Sequence, residues 1–168
     1  MLRAVLLVGV FGWLVNPPAV AAVGGGGKVD RVVIEKSERR LTLLKGDQPV
    51  RTYPVALGGA PKGHKRFEGD QRTPEGVYRI DFRNAQSGFH RALRISYPSE
   101  ADRVRALEMG EAPGGQIMIH GLKNGQGWLG SRHLGGGDWT DGCIAVTNEE
   151  IEEIWSLVDL GTPVEIRP

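Results

Sequence analysis

Glycine and proline divide this chain into short segments. The 168 residues include 25 glycines and 10 prolines, which favour turns and interrupt regular structure. The segments between them have strand-like patterns: Val32-Val33-Ile34 is a β-branched run, and residues 77–83 alternate their side chains as a half-buried strand does. The chain is therefore expected to form many short strands.

Turn signals between these segments set the bounds of the predicted strands. The first three strands are expected to form a β-meander. Pro49 and Pro54 predict that the third strand lies at a sheet edge or is interrupted, because proline cannot donate a ladder hydrogen bond. The predicted strands cover residues 29–36, 40–45, 48–57, 77–83, 90–97, 117–121 and 163–167.

Two segments carry helical signals. Ser99 is a candidate N-cap with Asp102 three residues later, which predicts a short helix over residues 99–109. Thr147 and Glu150 form a second capping box, and apolar residues follow at helical spacing. The sequence thus predicts a mostly β domain with one short and one firm helix. The polar loop of residues 60–75 is long enough to be functional or disordered, and residues 122–139 are expected to form a glycine-rich loop.

The N-terminus has the features of an export signal. Residues 4–15 are largely apolar but too short to span a bilayer comfortably, and Ala19-Val20-Ala21 has the small-x-small pattern of a signal-peptidase site. We predict a signal peptide over residues 1–21, a flexible lead-in over residues 22–28 and one domain over residues 29–168. An uncleaved N-terminal anchor is the alternative.

The charge balance excludes one class of function. Lys plus Arg total 21 and Asp plus Glu total 20, so the net charge is near zero and no basic patch of the kind that nucleic-acid binders need is present in the sequence. After the signal, no segment is long and apolar enough to cross a membrane. We therefore expect neither a nucleic-acid partner nor a later transmembrane span.

Cys143 is the only cysteine of the chain. In an exported protein a lone cysteine is buried and inert, paired with another molecule or kept as a reactive thiol. Gly142 removes side-chain bulk next to a substrate carbonyl, and Thr140 and Asp141 can hydrogen-bond the backbone of the turn. These neighbours favour a nucleophile, although from the residues alone a small buried side chain remains the alternative.

A thiol nucleophile needs a base, and the chain offers four histidines. His120 follows three apolar residues and precedes a glycine, which places it at the rigid end of a predicted strand. His133 is closer to Cys143 in sequence but lies within a flexible loop. His64 and His90 are flanked by basic residues, which indicates solvated positions. His120 is preferred as the base, and His133 stays open.

Neither a metal nor a cofactor is predicted. One cysteine and scattered histidines lack the ligand spacing of a zinc site. Gly135-Gly136-Gly137 lacks the lysine and the strand-to-helix context of a phosphate-binding loop, so it indicates loop flexibility.

The histidine and cysteine segments together resemble a known family. Ile119-His120-Gly121, a glycine-rich stretch and then Thr140-Asp141-Gly142-Cys143 resemble the catalytic signature of the L,D-transpeptidase family, also called the YkuD domain. That signature has a histidine at a strand end and a later Ser/Thr-His-Gly-Cys block. The segment Thr73-Pro74-Glu75-Gly76 also resembles the family's Thr-Pro-x-Gly segment. The likeness extends over residues 29–167.

The resemblance implies a β-sandwich or flattened barrel with the firm helix after the catalytic cysteine. It assigns the nucleophile to Cys143, the general base to His120, and the carbonyl that orients this histidine to Gly121. Backbone N–H groups around Gly142 and Cys143 would form the oxyanion hole, and Thr140 takes the Ser/Thr position. No metal or cofactor is implied.

Two positions depart from the family pattern. Asp141 stands where a histidine usually precedes Gly-Cys, and Ala145 stands where an arginine often follows. Substrate contacts and acceptor choice are therefore expected to differ. This Thr-Asp-Gly-Cys form resembles a proteobacterial subgroup, one member of which hydrolyses the bond between peptidoglycan and an attached lipoprotein.

The resemblance implies a periplasmic enzyme of cell-wall organisation that transfers peptidoglycan stem peptides through a Cys143 thioester. A hydrolase on the same polymer, either an L,D-carboxypeptidase or an amidase that acts on a wall-attached lipoprotein, is one alternative, and a non-catalytic wall-binding domain is another. Arg94, Tyr97 and Lys123 are candidates for contact with stem carboxylates, with surface or strand positions as the alternative.

Overall fold

The computed structural model describes residues 27–168, which form eight strands, two α-helices and a 3₁₀ helix. The predicted signal peptide, residues 1–21, lies outside the described residues, as do residues 22–26 of the predicted lead-in. The strands are β1 (Arg31–Glu35), β2 (Arg40–Lys45), β3 (Gln48–Pro54), β4 (Gly76–Ser87), β5 (His90–Ile95), β6 (Met118–His120), β7 (Ile144–Ala145) and β8 (Pro163–Arg167). The helices are α1 (Glu100–Glu108), the 3₁₀ helix (Gly127–Gly136) and α2 (Asn148–Leu157).

The strands form one mixed sheet in the order β3-β2-β1-β8-β4-β5-β6-β7. The first three strands are the predicted antiparallel meander, and β3 lies at the edge of the sheet, as its two prolines indicated. Strand β4 is shared by two halves of the sheet, because residues 76–79 pair with β8 and residues 80–87 pair with β5. The mostly β prediction is confirmed.

The chain beyond β3 brings the two edges of the sheet together. Ala56 forms an isolated antiparallel bridge with Ala145 of β7, and Gly58 forms a parallel bridge with Thr140. The sheet therefore curls back toward itself, but these isolated bridges do not close it with a continuous ladder. This contact places the segment before β7, which contains Cys143, between the chain that follows β3 and the start of β6.

Both halves of the sheet and α2 share one apolar core. Leu41 and Leu43 of β2, Ile119 of β6 and Ile151 and Ile154 of α2 all belong to this core and are fully buried. Burial of each such side chain contributes about 1.5–3 kcal/mol relative to exposure. The core therefore fixes β6 and α2, the two elements that flank the cysteine segment.

The predicted capping boxes are confirmed at both helices. Thr147 Oγ1 accepts from the Glu150 N–H at 3.2 Å, and Glu150 Oε2 accepts from the Thr147 N–H at 2.8 Å. Ser99 and Asp102 make the corresponding pair of bonds at α1. Capping satisfies N–H groups of the first helical turn that have no partner within the helix. Helix α2 therefore starts at a defined place, immediately after β7.

The loop of residues 60–75 is held by two buried lysines. Lys65 Nζ donates to Asp70 Oδ1 at 2.8 Å, with both side chains nearly inaccessible. Lys36 Nζ donates to the carbonyl of Thr73 and to the Glu75 carboxylate, each at 2.9 Å. The Lys65 pair closes the loop on itself, and the Lys36 bonds tie it to the end of β1.

No helix within residues 27–168 combines the length and apolar character required to span a bilayer.

Candidate active site

His120 and Cys143 line the same pocket, of about 400 Å³. Strands β6 and β7 are parallel neighbours in which Ile119 pairs with Ile144 and His120 pairs with Ala145, so the segment that leads into β7 lies beside the start of β6, two positions before His120. The sheet thus brings together two residues that are 23 positions apart in the sequence. The pocket is lined by Asn84, Ser87, Phe89, Ala92, Gln116, Met118, His120, Trp139, Thr140, Asp141 and Cys143.

The Cys143 thiol is half-buried and faces this pocket. Its Sγ lies 3.5 Å from the carbonyl oxygen of Gln116. Burial raises the pKa of the Cys143 thiol, and the nearby Asp141 carboxylate raises it further, whereas the Met118 backbone N–H and the Lys65 ammonium lower it. Because burial dominates, the thiol is neutral when the pocket is empty.

The His120 imidazole is buried and held in one tautomer. Its Nδ1 lies 2.6 Å from the Gly121 carbonyl oxygen, which can only accept, so Nδ1 carries the proton. Burial lowers the pKa of His120, and the neighbouring His133 lowers it slightly further, against the effect of the Gly121 carbonyl. The Nε2 atom is therefore left as a free lone pair on a neutral ring, which suits a general base.

The turn before Cys143 is closed by Thr140. Thr140 Oγ1 donates to the Cys143 carbonyl oxygen at 2.8 Å and accepts from the Gly142 N–H at 3.1 Å. Gly142 has φ of +121°, and a Cβ atom there would lie 2.6 Å from the Arg72 carbonyl oxygen. Position 142 therefore requires glycine for both conformation and space.

The segment that follows β3 makes a second close backbone contact with this turn, at Gly58. A Cβ atom on Gly58 would lie 2.1 Å from the Gln71 carbonyl oxygen and 2.9 Å from Gly142 Cα. The Gly58 N–H donates to the buried Thr73 Oγ1 at 3.1 Å. Gly58 and Gln71 were missed by the sequence analysis. The Gly58-Gly59 pair and the Thr-Pro segment were the available signals, but their contact is long-range.

Aromatic rings form the wall around His120. The Phe89 ring lies 4.6 Å from the His120 ring, and the Trp139 ring lies 6.0 Å from it, both measured between centroids. Phe89 and Trp139 are both partly exposed. Asp141 is exposed. Among the residues that line the pocket, all within residues 27–168, it is the only acidic one, and none is Lys or Arg. The pocket is thus apolar with one acidic side chain at its mouth.

The other three histidines lie elsewhere. His133 packs against Trp139, with 6.2 Å between their ring centroids, and lines a neighbouring pocket. His64 contacts Asp102 and the Glu75 N–H, and His90 contacts Glu152. Of the four histidines, all of them in the described part of the chain, only His120 lines the Cys143 pocket.

The three candidates for carboxylate contact are separated in the structure, and none lines the Cys143 pocket. Arg94 pairs with Asp81 at 2.8 Å, and the buried Tyr97 donates to the Pro113 carbonyl. Lys123 is exposed and lines the same neighbouring pocket as His133.

Over residues 27–168, His, Cys, Asp and Glu side chains do not gather in groups of three that could hold a metal ion.

Comparison with known proteins identifies relatives of this domain. The family model described as the L,D-transpeptidase catalytic domain, YkuD, matches residues 29–166. The Escherichia coli (strain K12) protein named "Putative L,D-transpeptidase YafK" is 29% identical over 134 residues, which are 76% of this chain and 46% of that protein. The chain therefore spans about half the length of the curated relatives it matches.

Solved structures show the same fold. The crystal structure of the helical cell shape determining protein Pgp2 from Campylobacter jejuni matches with a TM-score of 0.63 and 25% identity, covering 83% of this chain and 48% of that one. An L,D-transpeptidase from Xylanimonas cellulosilytica matches with a TM-score of 0.53 and 15% identity, covering 83% of this chain and 61% of that one. The second likeness concerns the fold alone.

Proposed function

Because the chain belongs to the YkuD family of L,D-transpeptidase catalytic domains, we propose that residues 29–168 form a periplasmic cysteine acyltransferase that acts on peptidoglycan stem peptides. The observation that carries the proposal is the pocket that Cys143 and His120 line together. In it, the His120 tautomer leaves Nε2 free to take the thiol proton. Cys143 is the nucleophile and His120 the general base.

The first half-reaction starts from a neutral thiol and a neutral imidazole. His120 Nε2 takes the Cys143 proton as Sγ attacks the carbonyl carbon on the L-centre of the diamino acid in a stem tetrapeptide. The resulting imidazolium gives this proton to the departing amine of D-alanine. D-alanine leaves, and a thioester to Cys143 remains, which keeps the acyl group reactive toward an amine.

The oxyanion of the tetrahedral intermediate needs a backbone donor near the sulfur. The Gly142 N–H is already bonded to Thr140 Oγ1. We therefore assign the main donor to the Cys143 N–H. Thr140 and Gly142 act by fixing the turn, and the Gly121 carbonyl acts by fixing the imidazole.

The acceptor decides the product. A side-chain amine of a second stem that attacks the thioester gives a crosslink, and water gives a hydrolysed stem. Hydrolysis is the second candidate, as an L,D-carboxypeptidase or as an amidase that releases a wall-attached lipoprotein. Asp141 favours it, because its carboxylate at the pocket mouth repels acceptors that carry a carboxylate beside the amine. The name of Campylobacter jejuni Pgp2 adds cell shape as the cellular role to test.

A product assay tests the proposal. Purified protein is incubated with disaccharide tetrapeptide, and the products are identified by mass. Dimers indicate transfer, and tripeptide without dimers indicates hydrolysis. The Cys143→Ala variant is expected to form neither product. If the wild type forms no product and no acyl-enzyme, while wild type and Cys143→Ala bind sacculi equally, the domain is a wall-binding module instead.

Two histidine variants test the base. His120→Ala is expected to lower the acylation rate by about 10²- to 10⁴-fold, because the thiol then loses its proton acceptor. His133→Ala is the comparison variant, measured at saturating substrate so that weaker binding does not lower the rate, and it is expected to keep a near-wild-type acylation rate because His133 does not line the Cys143 pocket. The intact mass of the thioester species, followed over time, gives both rates. A large loss in His133→Ala with none in His120→Ala would reverse the assignment.

A further inference from the structure

A second pocket, of about 310 Å³, adjoins the Cys143 pocket, and we call it the His133 pocket. We propose that it binds a carboxylate of the stem peptide whose acyl group reacts at Cys143. This inference rests on the proposed function and adds the way in which the peptide is held. Lys123, Arg132, His133 and Trp139 are among the residues that line this pocket.

His133 supplies a buried donor without an acceptor. Its side chain is 7% exposed and forms part of the pocket wall. His133 Nδ1 accepts from Trp139 Nε1 at 3.4 Å, so the proton of the neutral ring is on Nε2. Nε2 is buried, and within residues 27–168 it has no hydrogen-bond partner. Buried polar groups in native proteins are nearly always satisfied, so an orphan on a pocket wall indicates a ligand acceptor.

The charged side chains that line this pocket are all positive. Lys123 and Arg132 are exposed, and neither forms an ion pair within residues 27–168. The residues that line the pocket include no Asp or Glu. Glu150 lies near His133 but does not line the pocket. Burial lowers the pKa of His133, and the Glu150 carboxylate opposes this effect. Two cations and an N–H donor suit a carboxylate, whose two oxygens are acceptors only.

Trp139 connects this pocket to the reacting atoms. Its ring lines both pockets, and its centroid lies 6.0 Å from that of His120 in the first pocket and 6.2 Å from that of His133 in the second. The Cys143 pocket carries the single acidic charge of Asp141, and the His133 pocket carries positive charge. An anionic group of a bound peptide is therefore repelled at one side of Trp139 and attracted at the other.

Binding to an unreactive protein tests the inference. Disaccharide tetrapeptide is titrated into the Cys143→Ala protein at low salt, with Arg132→Ala or His133→Asn added. The asparagine oxygen can still accept from Trp139 Nε1, but the donor at Nε2 is lost. Each change is expected to raise the Kd roughly tenfold, as hydrogen bonds to charged groups do. Arg103→Ala, an exposed arginine on α1, is the matched control and is expected to leave the Kd unchanged.

Modified ligands identify the carboxylate. One tetrapeptide has the D-centre carboxylate of the diamino acid amidated, and another has the terminal D-alanine amidated. The effect of Arg132→Ala is expected to disappear with the amide that removes the bound carboxylate and to persist with the other. A structural role of Arg132 would weaken all three ligands equally. That result, or a Kd that neither variant changes, overturns the inference.

The proposed function and the proposed carboxylate site can be refuted independently of each other. Wild-type protein that forms no thioester, while Arg132 still controls binding to the Cys143→Ala protein, refutes the function and leaves the carboxylate site in place. Turnover with an unchanged KM in Arg132→Ala refutes the carboxylate site and leaves the function.

Discussion

The protonation states of two side chains determine how the Cys143 pocket works. Burial raises the pKa of the Cys143 thiol and lowers that of the His120 imidazole. Both shifts favour the neutral pair over a thiolate–imidazolium pair at rest. In the proposed mechanism the thiolate forms only as the substrate is attacked, and the resting neutral thiol is less reactive toward oxidants than a thiolate.

The pH dependence of acylation follows from the His120 shift. A lowered pKa keeps His120 deprotonated at pH values where a free histidine, with a pKa of about 6.5, is protonated. The acid limb of kcat/KM for thioester formation is therefore expected below pH 6.5, and absorbance from a thiolate is expected to be absent at pH 7. An acid limb above pH 6.5 would show that the pKa of His120 is not lowered, and a thiolate signal at neutral pH would show that the resting state is an ion pair.

Replacement of Asp141 tests how much its charge, as distinct from burial, raises the pKa of the Cys143 thiol. Burial is the larger cause of the raised Cys143 pKa, and the Asp141 carboxylate adds to it. Asp141→Asn removes the negative charge, so the thiolate fraction at pH 7.5 rises. Alkylation by iodoacetamide is expected to accelerate roughly two- to fivefold, the range for an exposed charge at close distance. The exposed Asp47 is remote from the pocket, and Asp47→Asn is expected to leave the rate unchanged. Slower alkylation of Asp141→Asn would contradict this reasoning.

At the scale of elements, the sequence predicted those structures whose signals are local. Strands β2 and β8 begin and end where the turn residues placed them, and both capping boxes form. Proline at positions 49 and 54 correctly indicated an edge strand. A turn or a cap is specified by a few adjacent residues, so it can be identified without knowledge of the rest of the fold.

The elements that were missed depend on distant contacts. Strand β7 has two residues and exists through its pairing with β6 and the bridge to Ala56. The 3₁₀ helix lies in a segment whose glycines predicted only a loop. In the site, the cysteine and histidine could be proposed from a motif. The packing of Gly58 on Gln71 and the unpartnered Nε2 of His133 arise only when separate segments meet.

The contact between the β3 extension and the cysteine turn gives a prediction at this scale. In Gly58→Ala the new methyl group would overlap the Gln71 carbonyl oxygen and Gly142 Cα, both backbone atoms. We expect a loss of about 1–3 kcal/mol in stability and a fall of about 100-fold in acylation, because the sulfur is displaced. Thermal unfolding and acyl-enzyme formation measure the two effects.

The adjacent glycine provides the control for this change. A Cβ atom on Gly59 would lie 3.3 Å from Gln71 Oε1, the end of a flexible side chain, and 3.8 Å from the Asp138 carbonyl oxygen, which is an ordinary contact. Gly59→Ala is therefore expected to retain nearly full stability and acylation. Equal effects of the two substitutions would mean that the close approach at Gly58 does not position the sulfur.

At the scale of the whole molecule, a buried ammonium joins the long loop to the sheet. Lys36 is 2% exposed and follows β1 directly, and its Nζ donates to Gly63 O, Thr73 O and Glu75 Oε1. Burial lowers the pKa of Lys36, against the effect of the Glu75 carboxylate. The same loop supplies Arg72, whose carbonyl faces Gly142. The lysine therefore acts on the cysteine turn through the loop backbone.

Removal of this ammonium tests whether the loop is part of the cooperative fold. Lys36→Met keeps most of the side-chain volume but leaves the Glu75 charge and two carbonyls without their donor. Breaking a buried ion pair in this way is expected to cost about 3 kcal/mol in the free energy of unfolding, measured by urea denaturation.

The control variant is Lys28→Met, which removes an exposed pair with Asp159 and is expected to cost about 1 kcal/mol or less. If both variants unfold at the same urea concentration as the wild type, the loop is not coupled to the sheet. If Lys36→Met loses stability and its Cys143 is alkylated faster under native conditions, opening of the loop exposes the sulfur.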